Sequence, residues 1–358
     1  MRTGTRALLV LVGLVIVLAG ALWAFRAPIG VALYGRLADS RAGRDVTAGL
    51  PDGITVILCG TGSPLPDPSR AGPCTLVVAG RHVMLFDAGE GSARNLALMG
   101  VRVGRVERLF LTHFHSDHID GLGPLMLLRW TGASATSPLP VAGPPGVERV
   151  VAGFNQAYAI DNGYRTAHHG PKIVPPSGAG GVAQPFAVPG AGTVVFAADG
   201  VRVTAFSVDH GPVKPAVGYR IDYKGRSVVI SGDTGPTPNL VRAAKGTDLL
   251  VHEALQPVLV RKLTAALDAH RQPNTAQITR DILNYHTTPA QAADAARAAG
   301  AKALVLTHLV PPLPMRLAYP AFLGDAARHY DGPITVGEDG IVLSLPAGST
   351  KINRRKLL

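Results

Sequence analysis

Apolar residues along this chain fall mostly in runs of four to six, each closed by glycine, proline or a polar turn, a pattern that predicts strands. The first such run is ITVILC, Ile54 to Cys59, which enters the turn GTGSPLPDPSRAGP. TLVVA and HVMLF follow, the second ending in DAGEG from Asp87. A helix is predicted from Ser92 to Met99, and after it RLFL runs into THFHSDH. Further strands are predicted at Val201 to Val208, Ala216 to Tyr223, Ser227 to Ser231, Leu249 to His252 and Ala303 to Thr307. Thr288 to Gly300, TPAQAADAARAAG, predicts an alanine-rich helix stopped by its glycine. Leu255 to Thr279 carries a helical pattern that could cover a pocket. Ser134 to Asp199 is rich in glycine and proline and predicts long loops with one short helix near Val147 to Tyr158. Strands mixed with helices in this way give a layered α/β (α+β) domain.

One apolar run is different in kind. Ala7 to Phe25 is 19 residues without a charge, preceded by Arg2 and Arg6. At about 1.5 Å per residue it would span roughly 28 Å, close to the hydrocarbon thickness of a bilayer. It is longer than the apolar core of a cleavable signal, although Ala19-Gly20-Ala21 offers a small-residue cleavage site, so residues 1–26 are expected to be a signal anchor or signal peptide. The expected order is then a linker over 27–53, a catalytic domain over 54–346 and a basic, solvated tail over 347–358. Arg26, Arg36, Arg41 and Arg44 after the span oppose a simple N-inside orientation. The expectation is a domain outside the cell membrane, periplasmic or extracellular, or secreted if the signal is cleaved.

With 47% hydrophobic and 16% charged residues in 358, the chain is globular rather than disordered. Its net charge of +11 falls only to about +8 without Arg2, Arg6 and Arg26, which suits an anionic substrate or lipid surface, or simply a basic solvated face. Cys59 and Cys74 are the two cysteines, and they have no paired-ligand spacing. A disulfide in an exported chain and two buried thiols are both open.

Candidate chemistry is concentrated where strands end. His113, His115, Asp117 and His118 form H-x-H-x-D-H directly after an apolar run. His210 follows VTAFSVD, Asp233 follows SVVISG and His308 follows ALVLT, so three further strand ends terminate in possible ligands. Imidazole and carboxylate together suit zinc, with manganese or iron as alternatives, and a binuclear site can clamp both oxygens of a displacement.

The motifs GTGSPLP, FDAGEG, THFHSDHIDGL, SVDHGPVKPAVGYR, SGDT, VHEA, YHTTP and LTHL, in this order over about residues 54 to 310, resemble the metallo-β-lactamase superfamily. Within it they resemble the ribonuclease Z and arylsulfatase-like group. The resemblance implies a four-layer αββα sandwich, here preceded by a transmembrane helix, with two divalent ions at one edge of the sheets. It implies His113, His115 and His210 on the first ion, Asp117, His118 and His308 on the second, and Asp233 bridging them. His286 is the implied proton donor, with Glu253 orienting it, and Asp117, His286 and Glu253 are the expected catalytic residues. Two dications would lower the pKa of a water between them toward neutrality. Asp87 and Glu90 are candidates to stand behind the ligand histidines. His168 and His169 read as solvated loop residues and His252 as structural.

A long RNA-gripping arm, which the transfer-RNA processing members insert ahead of the bridging aspartate, is missing: only IDYKGRSVVISG separates Arg220 from Asp233, room for a hairpin turning at Lys224-Gly225. The leading expectation is therefore a membrane-anchored hydrolase of a small anionic ester, an aryl sulfate or phosphodiester. Nucleic acid is not the expected partner, and a homodimer is allowed by the resemblance. Alternatives are a ribonuclease Z-like endoribonuclease of the transfer-RNA 3′-processing type and a lactonase or thioester hydrolase.

Overall fold

The computed structural model describes residues 3–188 and 192–358. Arg2, and residues 189–191 of the region expected as loops, lie outside the described residues. The chain divides after Asp45 into two units. In the first, α1 (Thr3–Ala24) is followed by α2 (Arg26–Arg41). Gly4–Ala24 is long and apolar enough to cross a membrane, as the charge-free run suggested. The expected linker is helical over its first half, because RAPIGVALYGRLADSR is rich in alanine, leucine and arginine, which favour helix.

The second unit holds β1 (Gly53–Gly60), β2 (Cys74–Ala79), β3 (His82–Phe86), β4 (Arg108–Phe110), β5 (Leu139–Gly143), β6 (Gly181–Pro185), β7 (Thr193–Ala198) and β8 (Val201–Ser207). Then come β9 (Val217–Tyr223), β10 (Arg226–Ile230), β11 (Leu249–Leu255), β12 (Ala303–Val310), β13 (Ile334–Val336), β14 (Ile341–Pro346) and β15 (Asn353–Lys356). Its helices are α3 (Ser92–Leu98), α4 (Ser116–Ile119), α5 (Leu122–Ala133), α6 (Val147–His169), α7 (Pro238–Ala243), α8 (Pro257–Ala269), α9 (Pro273–Asp281), α10 (Pro289–Ala299) and α11 (Tyr319–Leu323).

The strands form two sheets, in the orders β15-β14-β1-β2-β3-β4-β5-β6 and β13-β12-β11-β10-β9-β8-β7. Alternation along each strand builds the layers. Ile54, Val56 and Leu58 of β1 meet Val228, Val251 and Val305 of the other sheet in the central core. Ile57 points the opposite way, onto Leu96 of α3 and Leu122 and Leu125 of α5. Val229, Leu250 and Leu304 likewise pack outward on Leu240 of α7 and Ala292, Ala293 and Ala296 of α10. This is the expected αββα sandwich. Near the site the sheets are tied by stacked Phe86 and Phe110 (centroids 5.0 Å apart) against Tyr219, whose hydroxyl donates to Leu111 O at 2.5 Å. Such aromatic pairs contribute about 0.5–1.5 kcal/mol each beyond their buried area.

Two expectations need correction, and one open alternative is decided. The region from Ser134 to Asp199 is not mainly loop: it contains β5, a 23-residue α6, β6 and β7. Prolines 140 and 185 disguise its strands, and only Val147 and Val151 of α6 are buried, so the helix shows almost no apolar stripe. The basic tail is not free, since Asn353–Lys356 pairs as an edge strand with β14 and Lys356 bridges Glu338. Its side chains stay in solvent, and charged edges of this kind discourage further strand pairing. The two cysteines form a disulfide. Leu58 pairs with Thr75 and Gly60 with Cys74, so Cys59 is the extra residue of a β-bulge beside its partner. The β9–β10 hairpin does turn at Lys224-Gly225, both at positive φ, as the primed turns of tight hairpins require.

Candidate metal centre and active site

The site lies where several strands of both sheets end together. Asp87 stands directly after β3, His113 in the loop after β4, His210 after β8 and Asp233 after β10. His115 precedes the single turn of α4, which turns Asp117 and His118 inward. Gly232 adopts φ +61, where a Cβ would lie 2.7 Å from Val217 O, so only glycine lets the chain bend there and deliver Asp233. His308 differs from expectation. It does not follow β12 but interrupts it, because Thr307 pairs with Glu253 and Leu309 with Ala254, leaving His308 bulged at φ +45. Bulges beside active sites re-aim side chains, and positive φ at a bulky residue is a strain retained where the surroundings enforce it.

The structure brings the seven expected ligands together. His113, His115, His210 and Asp233 form one cluster and Asp117, His118 and His308 a second, while Asp233, His286 and His308 form an overlapping third. His115 Nδ1 lies 3.0 Å from His113 Nε2 and 3.3 Å from His210 Nε2. Asp233 Oδ2 lies 3.3 Å from His118 Nε2, 3.2 Å from His308 Nε2, 3.8 Å from His210 Nε2 and 3.9 Å from His113 Nε2. Asp117 Oδ2 is 3.2 Å from His308 Nε2.

The far sides of the imidazoles are fixed by groups that spacing alone did not reveal. Thr112 Oγ1 donates to Asp87 Oδ2 (2.9 Å) and accepts from His113 Nδ1 (3.0 Å), while Asp87 also accepts from His118 Nδ1 (2.9 Å) and from Thr112 N. His210 Nδ1 donates to Tyr285 O at 3.2 Å. With Nδ1 protonated in all three, Nε2 presents its lone pair to the site. Asp87 thus stands behind two ligands, as one expectation had it, whereas Glu90 is exposed and does not join them. His168 and His169 sit exposed at the end of α6, and His252 is buried, donating to Glu253 O. His286 Nδ1 donates to Glu253 Oε1 at 3.2 Å, and the same oxygen accepts from Thr287 N and Thr234 N.

This donor set fits divalent cations. His118 Nε2 and Asp233 Oδ1 are buried yet make no hydrogen bond. Burial drives His113 well below the ordinary imidazole range and His210 down to about 4. Burial acts the same way on His118 and His308, but Asp233 and Asp117 outweigh it, raising His118 well above its usual value and His308 to about 9. Burial would also raise Asp233, yet His308 and His118 hold it well below the carboxylate range. Two buried carboxylates therefore demand positive charge at this point, and a field that draws protons also draws cations. A cavity of about 200 Å³ opens over the cluster, lined in part by His115, Asp117, Asp233, His286 and His308.

Residues 68–278 match the metallo-beta-lactamase superfamily. The chain is 40% identical over 292 residues, 80% of its own length and 94% of the relative's, to "Ribonuclease Z" of Mycolicibacterium gilvum (strain PYR-GCK). Human tRNase Z, short form, superposes with a TM-score of 0.58 at 24% identity, covering 82% of this chain and 99% of that one. The metallo-beta-lactamase fold protein YhfI from Bacillus subtilis gives 0.57 at 20%, covering 81% and 98%. At such identities the two structures attest the fold alone. The chain belongs to the metallo-beta-lactamase superfamily, and it is a metal-dependent hydrolase acting on ester bonds. The expectation that nucleic acid is not a partner is overturned, because the relatives bear the name of an RNA-cleaving enzyme. Its error was to let one missing arm and one apolar helix outweigh the whole sequence of site motifs.

Replacing Asp87 with Asn keeps the shape but removes the carboxylate charge behind His118 and Thr112. Metal affinity should fall by about 10–100-fold with the thermal transition of the metal-free protein little changed. Unaltered affinity in a competition titration would show that Asp87 does not set the ligand histidines.

Proposed function

We propose that this chain is a ribonuclease Z-type endoribonuclease that hydrolyses a phosphodiester bond near the 3′ end of an RNA. The single observation that carries the reading is the His286–Glu253 pair set against Asp233 and His308, in a chain whose relatives are named ribonuclease Z. His113, His115 and His210 would hold one divalent ion and Asp117, His118 and His308 another, with Asp233 common to both. Zinc suits these ligands best, with manganese or iron as alternatives. Bound ions would activate water and take up charge on the phosphate.

The protein's own groups then have separate tasks. With its Nδ1 proton donated to Glu253, His286 has Nε2 left to deliver a proton to the departing ribose oxygen. Glu253 is 1% exposed and held by two backbone amides, so it fixes the plane of the imidazole. Asp117, with one oxygen on His308, orients the attacking water. The net charge of +11 favours a polyanionic substrate.

The same reading includes location. An N-terminal helix able to span a bilayer and a disulfide between Cys59 and Cys74 support an anchored enzyme whose domain faces an oxidising compartment, outside the cytoplasmic membrane. Cells lysed in acid and treated with a thiol-reactive polymer should yield protein that gains no mass until it is first reduced. Immediate labelling of both cysteines would place the domain in the reducing cytosol.

The full chain in detergent, loaded with zinc or manganese, should cleave a 3′-extended RNA and lose that activity on chelation. His286→Ala should lower kcat by about 10²–10⁴-fold with metal content retained, and Glu253→Gln by less. Cleavage that survives His286→Ala unchanged would remove this histidine from the chemistry, and intact metal-loaded protein without any cleavage would refute the ribonuclease reading.

A further inference from the structure

The cavity over the cluster has a mixed lining: besides the polar groups of the site, Leu65, Ile278, Ile282 and Val310 border it. These residues do not belong to the three large cores. Leu255, Val260 and Val310 form a separate small buried cluster, against which Leu65, Ile282 and Leu283 pack. Small satellite clusters of this kind hold long connections in place. Here the connection is α8 and α9, which run from Glu253 to His286 and are pinned to each other by the Thr264–Thr279 hydroxyl contact at 2.8 Å. At the lip of the cavity Ile278 remains 58% exposed. Beside it the Tyr285 ring is engaged by His210 at 5.0 Å and His286 at 4.8 Å.

A substrate whose phosphate sits among the polar groups can lay its next group against these aliphatic side chains. Charged ribose-phosphate gains nothing there, whereas a flat base does, since every base presents an apolar face. At about 200 Å³ the cavity is smaller than the roughly 300–1,000 Å³ that encloses a drug-sized ligand, so it admits one ring system and no stacked pair. Aliphatic side chains offer no edge-reading hydrogen bonds, which makes the contact tolerant of base identity.

Resting on the phosphodiesterase reading above, we propose that Ile278 and Ile282, with Leu65 and Val310, form an apolar platform that receives one unpaired base beside the scissile phosphate. The platform restricts the enzyme to single-stranded ends. It is a specificity device and leaves the chemistry at His286 untouched.

The test uses the zinc-loaded full chain and measures binding of adenosine 3′- and 5′-monophosphate against ribose 5-phosphate. At least one nucleotide should bind about 10-fold more tightly than ribose 5-phosphate, the scale set by burying one apolar face. Ile278→Ser and Ile282→Ser should reduce that advantage to about threefold or less, while Ile160→Ser on exposed α6 leaves it intact. Should Ile282→Ser fail to fold, exposed Ile278 still decides the matter. Equal binding of nucleotide and ribose 5-phosphate by the unaltered protein, or an advantage that persists in Ile278→Ser, overturns the platform. Cleavage of an RNA made abasic at the reacting nucleotide should show a raised KM of similar factor. Base-dependent binding without any RNA cleavage would refute the ribonuclease reading and leave the platform standing.

Discussion

Asp233 is a carboxylate almost wholly removed from water at the end of β10, and four imidazole nitrogens lie within 3.9 Å of its Oδ2. Burying an unpaired carboxylate costs several kcal/mol, and among the described residues no lysine or arginine pairs with it. Only positive charge delivered among the imidazoles can do so, whether as protons on His118 and His308 or as bound cations. The rest of the site follows from that demand. Gly232 bends the chain to place the carboxylate, the β12 bulge turns His308 onto it, and Asp87 with Thr112 fixes the imidazoles that surround it.

The two sheets provide the rigidity this needs. His113 and Asp87 belong to strand ends of one sheet, His210, Asp233 and His308 to the other, so the centre exists only while the sheets hold their spacing. Phe86, Phe110 and Tyr219 fill the gap between the sheets, and the Tyr219 hydroxyl bond to Leu111 fixes the start of the His113 loop. The segment carrying α8 and α9 then adds the outer wall of the cavity, which the sandwich alone does not supply.

Much of this was legible in the residues because strand ends mark themselves. Apolar runs halting at His113, His210 and Asp233 announced both the strands and their ligands. His308 was legible as a ligand but not as a bulge, since a bulge changes pairing and not composition. Thr112 and the carbonyl of Tyr285 escaped notice because a hydroxyl or backbone oxygen behind an imidazole follows no spacing rule. The second half of α6 was hidden by its nearly unburied surface and β15 by its charges, both cases in which backbone hydrogen bonding rather than burial of apolar side chains fixes the element. The Cys59–Cys74 pair depended on a bulge that two cysteines 15 residues apart do not reveal. The expectation against nucleic acid failed for another reason: a missing arm says how RNA is not held, and it says nothing of the bond the centre cleaves.

Metal stoichiometry puts the central role of Asp233 to the most direct test. Native mass spectrometry of the zinc-loaded full chain should give two ions per chain, and Asp233→Ala should lose both together as free metal is lowered, since one carboxylate serves both positions. Two tightly held ions in Asp233→Ala, or no bound ion in the unaltered protein, would contradict a centre organised around this carboxylate.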